Sequence, residues 1–271
     1  MEGRAKPRAL VLTGYGINCD RETEFAFGLA GAEAVRVHVN DLISGKDDLS
    51  GYQILAFPGG FSFGDDIASG KVLANKVRTH LGERVARFID DDKLVIGICN
   101  GFQVLAKYGL LPRLEPPRVE QSVTVTFNDS GRFEDRWVHL SVSSDRCVFL
   151  RGIERLDLPV AHGEGKVVAD EATIRRLEEA GCSVLRYVDG SGRRAQGRYP
   201  LNPNGSTNDI AGICDSTGRV FGLMPHPERF LHFTNHPHWT RRRDTLRRVD
   251  RRPPEAGEGR GIFENAVAYF G

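Results

Sequence analysis

The sequence predicts an α/β protein: a doubly wound, mostly parallel sheet, an additional antiparallel strand region and a C-terminal extension. Three observations carry this. From Arg8 to Pro112, short β-branched apolar runs alternate with segments of helical apolar spacing. Two of those runs pass directly into glycine turns, Pro58-Gly59-Gly60 and Gly97 to Gly101, as strands ending at a site would. Beyond Pro112 the alternation stops, and short strand-like stretches are separated by turn residues.

The elements follow in order. Arg8 to Thr13 reads as a buried strand, and Gly14-Tyr15-Gly16 as a turn. A helix over Glu22 to Ala30 is expected to be capped by Asn18 or Asp20 and stopped by Gly31. Val35 to Val39 and Tyr52 to Phe57 read as strands, and Val72 to Ile89 as a helix on the spacing of Val77, Leu81, Val85 and Phe88. Leu94-Val95-Ile96 begins another buried strand. Glu120 to Phe127 and Trp137 to Val142 read as antiparallel strands about the turn Asn128-Asp129-Ser130-Gly131. Ala172 to Ala180 reads as a helix; Ser183 to Val188, Ile210 to Cys214 and Val220 to Met224 read as strands. The Arg-dense stretch Arg241 to Pro254 is expected to be solvated, Glu255 to Gly259 flexible, and Ile262 to Phe270 a closing amphipathic helix, with Phe233 and Trp239 exposed.

Composition narrows the class of partner. The 271 residues are 40% hydrophobic and 27% charged, with a formal net charge of +1, so nothing global points to nucleic acid or an anionic membrane. No apolar run is long enough to span a bilayer, and the opening MEGRAKPRALVL turns polar too early for a secretory signal. The five cysteines, Cys19, Cys99, Cys147, Cys182 and Cys214, are odd in number and lack a C-x-x-C spacing. That argues against a disulfide framework or a metal site, and the expected compartment is the cytoplasm.

The chemistry centres on Gly97-Ile98-Cys99-Asn100-Gly101, a thiol version of the strand-turn-helix nucleophile elbow. Its glycines allow a strand to turn at once into a helix, lifting Cys99 toward a helix N-terminus that favours thiolate. The competing reading is a buried structural cysteine, which would not need both glycines. Gly59 and Gly60 leave backbone N–H groups open to approach, as one half of an oxyanion hole would. His226 and Glu228, just past the last strand, suit a base and the group that orients it. His232, His236 and His238 keep a metal reading of His226 open, with no diagnostic spacing.

GICNGFQVL together with MPHPER resembles the class I (triad) glutamine amidotransferases, whose fold is flavodoxin-like. The runs NCD, PGGFSFGDDIASG, AHGEG, RYVD and NPNGSTNDIAGICDSTGRVFGLMPHPER narrow the resemblance to the amidotransferase subunits of phosphoribosylformylglycinamidine synthase, over roughly Ala9 to Arg229. The resemblance implies a class I domain over residues 1–229 and a C-terminal extension over 230–271 that packs on the domain or on a partner. It implies Cys99 as nucleophile on L-glutamine, His226 as proton shuttle, Glu228 as its orienting partner, and an oxyanion hole from the backbone of Gly59, Gly60 and Asn100. Gln103, His162 and Gly163 are the implied substrate contacts; no metal is implied. The chain has no G-x-x-x-x-G-K-[ST] loop, so ATP and Mg²⁺ are expected in a synthetase subunit that receives the ammonia, with a small third subunit joining in some members. An amidotransferase serving another acceptor, or a catalytically silent regulatory subunit, are the alternatives; the complete Cys-His-Glu set argues against the second.

Overall fold

The computed structural model describes residues 5–271. Its strands are β1 Arg8–Thr13, β2 Glu33–His38, β3 Ile54–Phe57, β4 Leu94–Ile98, β5 Thr124–Phe127, β6 Glu134–Val142, β7 Arg155–His162, β8 Glu164–Val168, β9 Leu185–Val188, β10 Ile210–Cys214 and β11 Val220–Leu223. The helices are α1 Asp20–Leu29, α2 Val39–Ser44, α3 Lys71–Asp90, α4 Asn100–Tyr108, α5 Glu171–Glu179, α6 Trp239–Arg248 and α7 Arg260–Ala268. A nine-stranded sheet runs in the order β2-β1-β3-β4-β11-β10-β9-β6-β7. The β2-β1-β3-β4-β11 half is parallel, and from β10 outward the pairing is antiparallel.

The inner parallel strands β1, β3, β4 and β11 are buried on both faces, which is why they read as continuous apolar runs, whereas the edge strand β2 alternates. Helix α3 turns Leu73, Val77, Leu81, Val85 and Phe88 onto the sheet, following the helical spacing of its sequence. Register then aligns the strand ends: Gly97 of β4 lies opposite Phe57 of β3 on one side and Gly222 of β11 on the other. The turns that follow these strands therefore open at one level.

Several expectations are corrected. Residues 124–127 and 134–142 do not form a hairpin with each other. β5 pairs with β8 in a separate two-stranded sheet, while β6 lies between β7 and β9. The stretch Leu158 to Gly165 is the end of β7 and the start of β8. Helix α1 begins at Asp20 with Cys19 at its N-cap and no side-chain cap, so neither Asn18 nor Asp20 caps it.

The C-terminal segment splits into two kinds of structure. Phe230, Ile262 and Phe263 are fully buried, and Phe263 meets Phe27 of α1 edge to face with centroids 5.0 Å apart. Phe233, expected to be exposed, is buried as well. Residues 255–259 are tied down, because Gly257 and Gly259 donate their N–H groups to Leu231 and Phe230. Helix α6, by contrast, buries no residue.

Candidate active site

Cys99 stands between β4 and α4 with φ 50° and ψ −103°, a backbone region that a non-glycine residue holds only when its surroundings over-determine it. The two elbow glycines make that possible. A Cβ on Gly101 would lie 1.8 Å from the carbonyl oxygen of Phe57, and one on Gly97 would lie 2.6 Å from that of Gly101. A side chain at Gly101 would force α4 away from β3, and one at Gly97 would force α4 away from β4. The Cys99 N–H donates to Leu223 O at 2.8 Å, pinning the elbow to the end of β11. Asn100 opens α4, so its N–H has no acceptor within the helix and lies at the positive end of the helix dipole.

The chain leaves β11 through Met224-Pro225 and reaches His226, whose N–H donates to Pro159 O at 2.8 Å. His226 Nδ1 lies 2.6 Å from Glu228 Oε1 with both side chains buried. The carboxylate can only accept here, so Nδ1 carries the proton and donates. Nε2 is left without a partner among the described residues. Burial opposes charge on the ring, but Glu228 and then Cys99 outweigh it and hold the His226 pKa well above its ordinary value. The arrangement favours an imidazolium facing the Cys99 sulfur.

Gly59 and Gly60 complete this corner. A Cβ on Gly59 would come 2.8 Å from His226 Cε1, and Gly60, at φ 149°, would place one 2.5 Å from Gly16 O. Neither glycine's N–H has a hydrogen-bond partner among the described residues. Together with the Asn100 N–H, they are free donors around the elbow.

A cavity of about 300 Å³ opens beside Cys99, and its walls include Gly60, Gln103, His162, Gly163 and Glu164. The fold thus brings every expected substrate contact to the nucleophile. Gln103 is itself bonded to protein: Oε1 accepts from Asn100 Nδ2 at 2.8 Å, and Nε2 donates to Glu164 O at 2.6 Å. His162 Nδ1 lies 3.1 Å from Asn128 Oδ1, while burial and then the neighbouring His226 push its pKa down to about 3. It is a neutral imidazole. A larger groove of about 850 Å³ lies between α6 and the sheet edge at Trp137, and neither Cys99 nor His226 lines it.

Sequence reasoning missed two neighbours. Cys19 reaches the site from the start of α1: Arg229 Nη2 donates to its sulfur at 3.3 Å, and the sulfur lies within 4.8 Å of ligand atoms of His226 and Glu228. Three such atoms could in principle hold a cation, but Arg229 already puts a positive charge on that sulfur. The only local signal was the Asn18-Cys19-Asp20 run. The second is a buried charge cluster of Glu164 and Lys107, 3.5 Å apart, beside Asp65. Lys107 sits at helical spacing from Gln103 on α4, but nothing local announces its carboxylate partner.

Residues 6–270 match the family described as the CobB/CobQ-like glutamine amidotransferase domain. The phosphoribosylformylglycinamidine synthase subunit PurQ of Methanococcus maripaludis is 47% identical over 265 residues, covering 97% of each chain. That of Dehalococcoides mccartyi is 48% identical over 266 residues, covering 98% of each. The chain belongs to the PurQ family of glutamine amidotransferases. Among solved structures, a chain of PurLQS from Thermotoga maritima superimposes with a TM-score of 0.71 at 30% identity, over 98% of this chain and 100% of that one. In this chain the nucleophile elbow, the strand-end glycines and the His-Pro-Glu turn meet at one corner, beside the cavity that Cys99 and Gly60 line.

Proposed function

We propose that this chain is the glutaminase subunit of a phosphoribosylformylglycinamidine synthase, with Cys99, His226 and Glu228 as its catalytic residues. The observation that carries the reading is a positive-φ cysteine on the wall of a cavity, with a buried His-Glu pair and unpartnered amides gathered around the same elbow. In the first half-reaction the Cys99 thiolate attacks the side-chain amide carbon of L-glutamine. The carbonyl electron pair moves to oxygen, which the Gly59, Gly60 and Asn100 amides receive. As the tetrahedral intermediate collapses, His226 Nε2 gives its proton to the leaving nitrogen, and ammonia departs from a thioester. In the second, His226 takes a proton from water, whose oxygen attacks the thioester; glutamate leaves and the thiolate returns. Glu228 holds the Nδ1 proton throughout, keeping Nε2 aimed at the reacting atoms.

Gln103, His162 and Gly163 are the proposed substrate contacts. The resting Gln103 bonds to Asn100 and Glu164 hold its amide in place for this role. We assign the ATP- and Mg²⁺-dependent formation of the amidine to a synthetase subunit, with a small third subunit in the assembly, and place the complex in the cytoplasm. The PurLQS assembly of the Thermotoga relative and the absence of a phosphate-binding Gly-Lys loop in this sequence support that division. No helix among the described residues is long and apolar enough to cross a membrane. Residues 1–229 would carry the glutaminase, and residues 230–271 would brace it through Phe230 and α7 while α6 faces outward.

An electrophilic glutamine analogue tests the site. It is expected to label Cys99 and spare Cys19, Cys147, Cys182 and Cys214; labelling that survives Cys99→Ala overturns the assignment. Glutamate release by the chain alone, compared with release in the presence of synthetase, ATP and acceptor, tests the coupling. A clear rise is expected, and equal rates would remove it. Completion of the oxyanion hole at Gly59-Gly60 is the proposed switch, since one such donor is worth about 2.7–4 kcal/mol.

A further inference from the structure

The cavity beside Cys99 has a charge that its own walls do not balance. Asp65 and Glu164 both line it. Glu164 is matched: Oε2 faces Lys107 Nζ at 3.5 Å, and Oε1 accepts the Ser69 N–H at 3.2 Å. Lys107 spends a second proton on Ser69 O. Asp65 is not matched. Its Oδ1 accepts from Asn100 Nδ2 at 3.1 Å and from the Gly70 N–H at 3.4 Å, and its Oδ2 accepts from Ser69 Oγ at 3.0 Å. All three donors are neutral, and among the described residues no cation lies within ion-pairing distance of it, although Lys107 is near enough to feel its charge. The three charges leave one net negative charge in a half-enclosed wall.

Such a charge is costly unless something positive meets it. Burial and the nearby Glu164 both act to raise the Asp65 pKa, against the neutral donors that hold it ionised. The position is nonetheless built for this side chain. Asp65 has φ 53°, a left-handed conformation that Asp and Asn tolerate better than most residues. It shares the cavity with Cys99 and is tied to the elbow: its partner Asn100 follows the nucleophile directly, and Asn100 Oδ1 accepts the Ser62 N–H at 3.2 Å.

We propose that Asp65 is the seat of the substrate's α-ammonium group, with the Glu164–Lys107 pair fixing the wall behind it. The proposal rests on the glutaminase reading and deepens it. An amino-acid amide entering with its side-chain carbonyl at Cys99 brings its ammonium, four bonds from the reacting carbon, into the same cavity. That ammonium cancels the unmatched charge. The site therefore selects amides that carry a free α-amino group and discriminates against the deamino analogue glutaramate, which would leave the Asp65 charge unpaired. The bond from Asp65 to Asn100 further ties ammonium binding to the residue whose backbone faces the oxyanion.

The test compares glutamine with glutaramate, as substrate or as competitive inhibitor, in the full chain assayed with its synthetase partner. Asp65→Asn keeps the shape, tolerates the backbone and removes the charge. It is expected to raise KM for glutamine about 10- to 100-fold, the range of a charge-assisted hydrogen bond, with kcat changed far less. Glutaramate is expected to bind the variant as well as it binds wild type, so the preference for glutamine collapses. Asp65→Glu, which keeps the charge, is expected to recover part of that preference, and thermal unfolding of both variants separates folding from recognition. If Asp65→Asn weakens both ligands equally, or leaves the preference intact, Asp65 is a loop staple and the proposal is wrong. If wild type releases no glutamate, or Cys99→Ala still does, the glutaminase reading fails first and takes this proposal with it.

Discussion

The parallel and antiparallel halves of the sheet contribute to the site in different ways. In the parallel half, β3, β4 and β11 lie side by side in register, so the turns after them deliver Gly59-Gly60, Cys99 and His226 to one level. Each group is positioned by a few residues of its own chain. On the antiparallel side, β7 of the large sheet and β8 of the two-stranded sheet bring His162 and Glu164 to the cavity, and bonds between distant segments hold them there. Asn128 grips His162 and Gly165, and Gln103 grips Glu164. The difference teaches where reaction and recognition reside: bond-making groups on strand ends that cannot shift alone, and the substrate-facing wall on a cross-linked loop structure that can be tuned.

Four measurements break or sharpen that contrast. The largest effect is expected in the parallel half. His226→Ala should cut glutamate release by about 10²–10⁴-fold, the usual contribution of a general acid–base, with KM little changed. Turnover near wild type would move the base elsewhere.

Glu228→Gln should cost less and leave a signature in the pH profile. The Glu228 charge is a main support of the raised His226 pKa. Without it the imidazolium loses its proton at lower pH, so the alkaline limb of the profile should shift toward acid. A shift in the opposite direction, or none, would mean that Glu228 does not support the charged ring.

In the antiparallel half the expected split is reversed. Asn128→Ala leaves the His162 Nδ1 proton and the Gly165 N–H without their acceptor. Unsatisfied buried groups cost about 1–3 kcal/mol, so KM for glutamine should rise by roughly tenfold while kcat stays within a few-fold. A fall in kcat at unchanged KM would show the two halves to be less separate than the geometry suggests.

The smallest effect lies beyond the antiparallel edge. Arg247→Ala on exposed α6 should change thermal stability by no more than about 0.5 kcal/mol, as surface substitutions do, and leave activity of the isolated chain unchanged. A loss confined to assays with the synthetase would instead mark α6 as a docking face.

Much of the parallel half could be read directly from residue order. Gly97-Ile98-Cys99-Asn100-Gly101 is a strand, turn and helix start within a few residues, and Gly59-Gly60 ends its strand in the same way. His226 and Glu228 are two residues apart on one turn, so their hydrogen bond needs no help from elsewhere. These signals are local because the physics is local: steric room at a tight turn, a helix dipole, a short tether between two side chains. The alternation of strands and helices set the fold class for the same reason.

Tertiary structure alone decided the rest. Residues 124–127 and 134–142 flank a turn yet pair with β8 and with β7 and β9, because β6 gains hydrogen-bonded neighbours on both edges of the large sheet and buries one face there. Phe233 and residues 255–259 looked exposed or loose in a polar, glycine-rich context, but the packing of Phe230 and α7 draws them in. Cys19 reaches His226 across most of the chain, Glu164 of the two-stranded sheet meets Lys107 of α4, and no cation among the described residues comes within ion-pairing distance of Asp65. Contacts of that separation depend on the register of whole strands against one another. No stretch of sequence carries that information by itself, since the free energy that sets the register is summed over the entire sheet.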